Sequence, residues 1–217
     1  LEAFGAEALI LSRTRRMDLG GVSRILEDMV SFGDIRSVLQ RPPSMQVWLE
    51  LCALLEPVDP TRLDERILPY CRGVLDRWPS RERREAPDRW VRALLAGQPP
   101  VLLSLADTLR CTGAPIRSEG AARLASCPHM RAMTRLMFAN QSVGDAGVSA
   151  LADSEHLAGL RHLSLRWEMI GTEGVCALAS SPHMASLRHL DLWSNLARAE
   201  GAQALAGSEH MARLEHL

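Results

Sequence analysis

The sequence predicts an α/β protein in which parallel strands and helices alternate in stacked repeats, preceded by an all-α region. The first observation is a fixed period of 27 residues, which is marked by four histidines: His129, His156, His183 and His210. The second is that each period holds a run of alternating apolar residues, typical of a strand, followed by a glycine and a short apolar helical segment. The third is that residues 1 to about 100 show helical periodicity and no repeat.

The helical part is expected to cover one end of the repeats. A stack of repeats exposes an unpaired strand and an open core at its end, so a different element has to cover it. We therefore predict a helical N-terminal capping region over residues 1–104 and repeats over residues 105–217, truncated at the C-terminus. A separate functional helical domain is the alternative for the first part. Because the chain starts at Leu1 rather than Met, we expect it to be a fragment.

Helices in the first part are predicted from apolar residues at helical spacing. Ser44 is expected to cap the helix predicted from Met45 to Leu55. That helix is apolar nearly all round and is therefore expected to be central to a small helical core. The mixed-charge stretch 81–85 indicates a solvated loop or a helix end. The predicted helical segments are 22–30, 45–55, 63–78 and 90–95, with a further short helix that begins at Gly33-Asp34.

Alignment at 27 residues assigns a structural role to each position of the repeats. Glycines precede the predicted helices at Gly147, Gly174 and Gly201, and a first, less regular repeat begins near Ala106. The alternating apolar positions that predict strands are Met133, Leu136 and Phe138, then Leu160, Leu163 and Leu165, then Leu187, Leu190 and Leu192.

The pattern L-x-x-L-x-L-x-x-N-x-I-x-x-x-G-x-x-x-L-A resembles the leucine-rich repeat family, of the ribonuclease-inhibitor-like type, over about half of the chain. The resemblance implies a leucine-rich-repeat solenoid with parallel strands on the concave face and helices on the convex face. The asparagine that ties the turn backbone in that family is present only as Asn195, with Gln141 and Glu168 at the equivalent positions. Leu196-Ala197-Arg198 replaces the usual apolar-glycine step. We expect local irregularity at these places.

Composition excludes several classes of function. The formal net charge is −1, so no basic surface for nucleic acid is predicted, and no apolar run is long enough for a membrane span. All 25 basic residues are arginine, which excludes a catalytic lysine and, with abundant Ala, Leu and Gly, is typical of a GC-rich bacterial genome. The five cysteines are odd in number and lack CxxC spacing. No disulfide framework or zinc site is expected, and a cytoplasmic location fits best.

The histidines argue against catalysis because they recur with the repeat. A second column, His162, His189 and His216, is expected to face the concave side as a ladder of imidazoles. Such a ladder can hold a metal or respond to pH, but Arg135 continues the column, which argues against a pure metal site. The histidines are therefore predicted to be structural or surface residues of the repeat, and neither a metal nor a cofactor is expected.

No catalytic residue is predicted. Asp191 can share a face with His189, and Ser164 lies in the neighbouring unit, but no G-x-S-x-G motif is present. No cysteine has the sequence context of an activated nucleophile. We therefore expect the chain not to be an enzyme.

The outward strand positions form the predicted binding site. Tryptophan and arginine are over-represented among residues that contribute most to binding energy. Two tryptophans stand where the repeat does not require a core residue, although they can instead pack along a loop or against neighbouring units. The predicted protein-binding residues are Arg135, Met137, His162, Arg166, Trp167, His189, Asp191 and Trp193.

The predicted function is a non-enzymatic scaffold for protein–protein interaction. It would bind a protein partner, or another domain of its parent protein, through the concave face. Nucleic acid and membrane are not expected partners. The alternative is the sensor or substrate-recruiting arm of a larger bacterial enzyme, a protease or a nucleotide-driven defence protein, whose catalytic domain lies outside residues 1–217.

Overall fold

The structure is a computed structural model that describes residues 31–60, 63–79, 84–112 and 115–217. The predicted helix over 22–30 lies outside the described residues. The chain divides into two compact units, residues 1–82 and 83–217. Residues 84–104, which the predicted boundary places with the capping region, belong to the second unit. The capping role of residues 1–104 stays a prediction.

The first unit contains three described α-helices, α1 (Phe32–Leu39), α2 (Met45–Leu55) and α3 (Leu68–Leu75), with a π-helical turn at Leu63–Ile67. Ser44 caps α2 as predicted, because its hydroxyl oxygen accepts a 3.2 Å hydrogen bond from the N–H of Val47. Trp48 and Leu51 of α2 are fully buried. These two side chains belong to the helical core, whereas Met45 and Leu49 of the same helix are each 44 % exposed.

The second unit alternates strands and helices in chain order. Its described strands form one four-stranded parallel sheet in the order β1-β2-β3-β4. Short 3-10 turns at Pro128–Ala132, Glu155–Leu157 and Pro182–Met184 lead from a helix into the next strand. The elements are α4 (Asp88–Leu95), β1 (Thr108–Cys111), α5 (Arg117–Ser126), β2 (Arg135–Ala139), α6 (Gly144–Ala152), β3 (His162–Arg166), α7 (Thr172–Ser180), β4 (His189–Asp191) and α8 (Ala199–Ala206). This confirms the predicted alternation.

The strand register follows the 27-residue period. Leu136 pairs with Leu163, and Leu163 pairs with Leu190, and all three side chains are buried. Since a parallel sheet with helices along one side buries its inward-facing side chains, the recurring leucines form a continuous core between neighbouring units. The helices pack in the same order, α5 on α6, α6 on α7 and α7 on α8.

In each 27-residue repeat, one backbone carbonyl accepts hydrogen bonds from two N–H groups of the next repeat, at 2.8–3.0 Å. These carbonyls belong to Asp107, Thr134, Arg161 and Arg188. The carbonyl of Arg84 does the same for Asp107 and Thr108, at 3.1 and 3.3 Å. Glu85 pairs in parallel with Thr108. The prediction of a solvated loop or helix end was therefore wrong for residues 84 and 85. Mixed charge does not exclude pairing, because the backbone pairs here while Arg84 forms an ion pair with Asp107 at 3.1 Å.

The turns after β2 and β3 stay regular despite the substitutions that predicted irregularity. The side-chain oxygen of Asn195 accepts hydrogen bonds from the N–H groups of Glu168 and Ile170, at 3.0 and 3.1 Å. Glu168 is 0 % exposed, and its carboxylate accepts the N–H groups of Gln141 and Val143, at 3.0 and 3.1 Å. The carboxylate thus replaces the accepting half of an asparagine. The expectation of irregularity at Glu168 was wrong, because the turn needs the acceptor and a carboxylate supplies it.

The turn before α8 does differ from its equivalents. Val143 and Ile170 are fully buried, whereas Ala197 at the same repeat position is exposed. Leu196 beside it is 68 % exposed. The irregularity expected around Leu196-Ala197-Arg198 is confirmed as a loss of core packing.

Among the described residues, none of the helices combines the length and the apolar character that crossing a membrane requires.

Candidate binding surface

The outer face is the side of the sheet opposite the buried leucines, and the strand alternation defines it. In β2 the side chains of Arg135 and Met137 are half-buried, whereas those between and after them, Leu136 and Phe138, are buried. Phe138 therefore fills a core position, as predicted. The register aligns two rows across the strands: Arg135, His162 and His189 in one, and Arg110, Met137, Ser164 and Asp191 in the other.

A depression of about 460 Å³ lies on this face. Its lining includes seven of the eight predicted site residues: Arg135, Met137, His162, Arg166, Trp167, His189 and Asp191. The eighth, Trp193, is not in the lining but contacts Trp167. The alternation of a parallel sheet is thus sufficient to bring the predicted residues onto one surface.

Sequence reasoning left Arg110 and Thr112 out of the site, although both line the depression. The signal was present in the sequence, since Arg110 is one period before Met137 and pairs with it in the sheet. The first repeat is less regular than the others, and for this reason its outward positions are harder to recognise in the sequence.

The two tryptophans pack against each other while staying exposed. Their ring centroids are 4.7 Å apart with an interplanar angle of 72°, an edge-to-face arrangement. Trp167 is 45 % exposed and Trp193 is 58 % exposed. Both tryptophans therefore keep a large solvent-exposed surface.

Trp167 stands at a position with a left-handed backbone. Its φ is 56°, and the equivalent Asn140 and Ser194 have φ of 57° and 56°. Asparagine tolerates this conformation because its short polar side chain bonds locally, whereas for a bulky residue it costs roughly 1–2 kcal/mol. A large aromatic side chain is therefore held, at some conformational cost, where the repeat itself requires only a small polar one.

Ion pairs balance most of the charge on the outer face. Arg166 forms an ion pair with Asp191, whose other oxygen accepts the N–H of Trp193 at 3.1 Å. Arg110 pairs with Glu85 at 3.0 Å. The surface around the tryptophans is therefore polar and close to neutral, and the Arg166–Asp191 pair fixes the backbone that carries Trp193.

The second histidine column forms the predicted ladder. The ring centroids of His162 and His189 are 4.1 Å apart, and those of His189 and His216 are 4.4 Å apart. Both pairs are stacked with 7° between the ring planes. The other column, from His129 to His210, lies at the helix-to-strand turns, where Ser181 and Ser208 accept the N–H groups of His183 and His210. Of the two columns, only the ladder of His162, His189 and His216 belongs to the outer face.

The chemistry of a hydrolase is not assembled here. Among the described residues, no hydrogen bond links Asp191 to His189 or Ser164, and Asp191 is bonded instead to Arg166 and to Trp193. The buried thiols of Cys71 and Cys111 are not activated either. Burial raises the pKa of Cys71 to about 12, and burial together with the charges of Glu168 and Asp88 raises the pKa of Cys111 to about 12.

One group of side chains has the composition of a cation site. Ligand atoms of His189, Glu215 and His216 all lie within 4.8 Å of one another, at the C-terminal side of the ladder. Glu215 was not singled out from the sequence, because it stands at a repeat position held by arginine in the two preceding units, Arg161 and Arg188.

No protein-family model matches this chain, and comparison with curated proteins finds no similar sequence.

Proposed function

We propose that this chain is a bacterial leucine-rich repeat protein of the ribonuclease-inhibitor-like type, and that its second unit is a solenoid with the outer face on its concave side. The proposal is supported by one strand and one helix in every 27-residue period and by leucines in register across β2, β3 and β4. It is also supported by a turn in which Asn195 and Glu168 bind the preceding backbone. A right-handed strand–helix–strand connection is the expected hand for such units.

The proposed activity is recognition of a protein partner, without catalysis. The observation that carries it is the exposed pair Trp167 and Trp193, of which the first is held in a left-handed conformation. Nothing in the repeat requires either side chain, and conformational cost that persists at one position is a reason to propose function there. Exposed aromatic residues beside arginine are typical of the residues that contribute most to binding a protein.

The partner is either a separate protein or another domain of the parent protein, and we place the interaction in the cytoplasm. All five cysteines are free, which suits a reducing compartment. Because the charges of the outer face are largely paired, we expect the contact to depend on the tryptophans more than on long-range electrostatic attraction. Binding should then change little with moderate salt.

The test compares two double variants of the whole chain. Trp167→Ala with Trp193→Ala removes the exposed pair, whereas Met169→Ala with Leu196→Ala removes other exposed apolar side chains of the same units, which do not line the depression. Both variants should melt within a few degrees of the parent chain. Partner capture from lysate, read by mass spectrometry, should be lost only in the tryptophan variant. Equal capture by both variants would show that another surface binds the partner.

A further inference from the structure

The C-terminal side of the histidine ladder brings together three metal-ligating side chains from two neighbouring backbone segments. His189 belongs to β4, whereas Glu215 and His216 belong to the segment that pairs with it. Their ligand atoms lie within 4.8 Å of one another. Two imidazoles and one carboxylate are the donor set that borderline divalent cations such as Zn²⁺ and Ni²⁺ favour.

Backbone hydrogen bonds hold these donors in register. The N–H groups of Glu215 and His216 donate to the carbonyl of Arg188, at 2.8 and 3.0 Å, and the N–H of Leu190 donates to the carbonyl of His216 at 3.0 Å. This repeats the pattern that joins the earlier units. The separation of the two histidines is therefore fixed by strand pairing and does not rest on an accidental surface contact.

The stack places the imidazole rings of His189 and His216 face to face, with their centroids 4.4 Å apart. Neutral imidazole is the form that coordinates metal. We infer that His189, Glu215 and His216 form a binding site for a divalent transition-metal cation.

Binding requires a small local rearrangement. Parallel rings direct their nitrogen lone pairs side by side, and a tetrahedral zinc ion with bonds of about 2.0–2.1 Å needs donors that converge on one point. Glu215 and His216 are exposed, so their side chains can turn without repacking the core. Three protein ligands leave a fourth position, which is open to water or to a group of a partner.

The competing interaction is the ion pair of Glu215 with Arg188, whose Oε1 and Nη1 atoms lie 2.6 Å apart. Both side chains are about half exposed, and such pairs contribute little to stability. Arg135 lies in register with His162, at the other side of the ladder from Glu215. The arginine that argues against a pure metal column is thus separated from the proposed site by His162.

The experiment is a calorimetric titration of the whole chain with ZnCl₂ at neutral pH. One cation should bind per chain. His216→Ala should weaken binding at least about tenfold, and Glu215→Gln should weaken it by a smaller factor. Arg188→Ala should strengthen it by up to about fivefold, since it frees the Glu215 carboxylate. His210→Ala is the matched control, because it removes a histidine that lies six residues before His216 but outside the site, and should leave the affinity unchanged.

Histidine side-chain NMR signals give a second readout within the unmodified chain. Zn²⁺ should shift the ring signals of His189 and His216, whereas those of His183 and His210 should stay in place. The inference is overturned if no saturable 1:1 binding occurs, if His216→Ala binds as tightly as the parent, or if the shifts fall on His183 and His210. None of these readouts depends on a protein partner, so failure here is distinguishable from failure of the proposed function.

Discussion

The backbone N–H of Glu168 donates a 3.0 Å hydrogen bond to the side-chain oxygen of Asn195 in the next unit. Glu168 in turn uses its own carboxylate to bind the backbone of the preceding unit at Gln141 and Val143. Each of these turns is therefore held by a side chain one unit further along the chain. Such contacts join each repeat to the one before it, and the carboxylate of Glu168 and the amide of Asn195 have the same role in them.

Replacing Glu168 by Ala should destabilise the chain by roughly 2–4 kcal/mol, because two N–H groups beneath it lose their acceptor in a buried place. Urea unfolding measures the change. Glu173→Ala, an exposed glutamate in the first turn of α7, should alter the free energy of unfolding by less than about 0.5 kcal/mol. Similar losses for the two variants would contradict the role assigned to the buried carboxylate.

Leu163→Ala and Leu190→Ala should each cost about 2–5 kcal/mol, since both side chains are at most 2 % exposed and sit between neighbouring strands. Hydrogen exchange should show faster opening in the altered unit and in the units that adjoin it. Leu196→Ala, at a position 68 % exposed, is the control and should change stability little. A local effect confined to one unit would argue against a shared core.

Gly174→Ala should destabilise the chain by about 1–3 kcal/mol. A Cβ there would lie 2.5 Å from Oδ1 of Asp145 and 2.8 Å from Cγ2 of Ile170, and that aspartate oxygen accepts the N–H groups of Gly171 and Gly174. The new methyl group would thus displace an acceptor that two N–H groups share.

The control for this prediction is Gly73→Ala in α3. Apart from its chain neighbours and the backbone of its own helix, no atom of the described residues lies within 4 Å of the Cβ it would add, so the change should stabilise the helix by about 0.5–1 kcal/mol. Thermal melting of both variants gives the comparison. If Gly73→Ala lowers the melting temperature, or if Gly174→Ala leaves it unchanged, contacts with Asp145 and Ile170 are not the reason why position 174 holds glycine.

The cysteines should react with a thiol reagent in a fixed order. Cys176 is half-buried and should react first in the native chain, whereas burial holds the pKa of Cys71 and of Cys111 at about 12. Raised thiol pKa values stabilise the folded state below the unfolded value of 9.0, and this contribution is lost as the pH rises toward 12. Counting the thiols modified by an aromatic disulfide reagent at pH 8, before and after denaturation, checks the order.

Periodicity was sufficient to predict the four strands, the helices between them and most of the side chains on the outer face. A strict repeat fixes which positions face the core, and so Phe138 and Cys111 could be assigned to buried positions while Trp167 could not. The histidine ladder followed from the same argument, since equal positions in parallel strands lie about 4.8 Å apart.

What the sequence left open depends on contacts across units or outside the repeat. The pairing of Glu85 with Thr108 has no period to reveal it, and its charged neighbours favoured a loop. Glu168 differs from the expected asparagine by chemistry, and only the hydrogen bonds show that the turn accepts a carboxylate. Glu215 belongs to the cation cluster because the repeat position held by Arg161 and Arg188 is glutamate in the last repeat. In the alignment, that change looks like ordinary variation of a surface residue.

Residues 84–86 lie beside β1 at the edge of the sheet. There the backbone carbonyl of Arg84 accepts two N–H groups, and the N–H of Ala86 donates to the carbonyl of Thr108 at 2.9 Å. Exposed edge strands offer unpaired backbone groups to any extended chain, and they are where sheets join to one another in aggregates. With this edge occupied by its own chain, another molecule would have to peel the segment away before it could add a strand. The segment thus hinders the addition of a foreign strand at Thr108, where β1 begins.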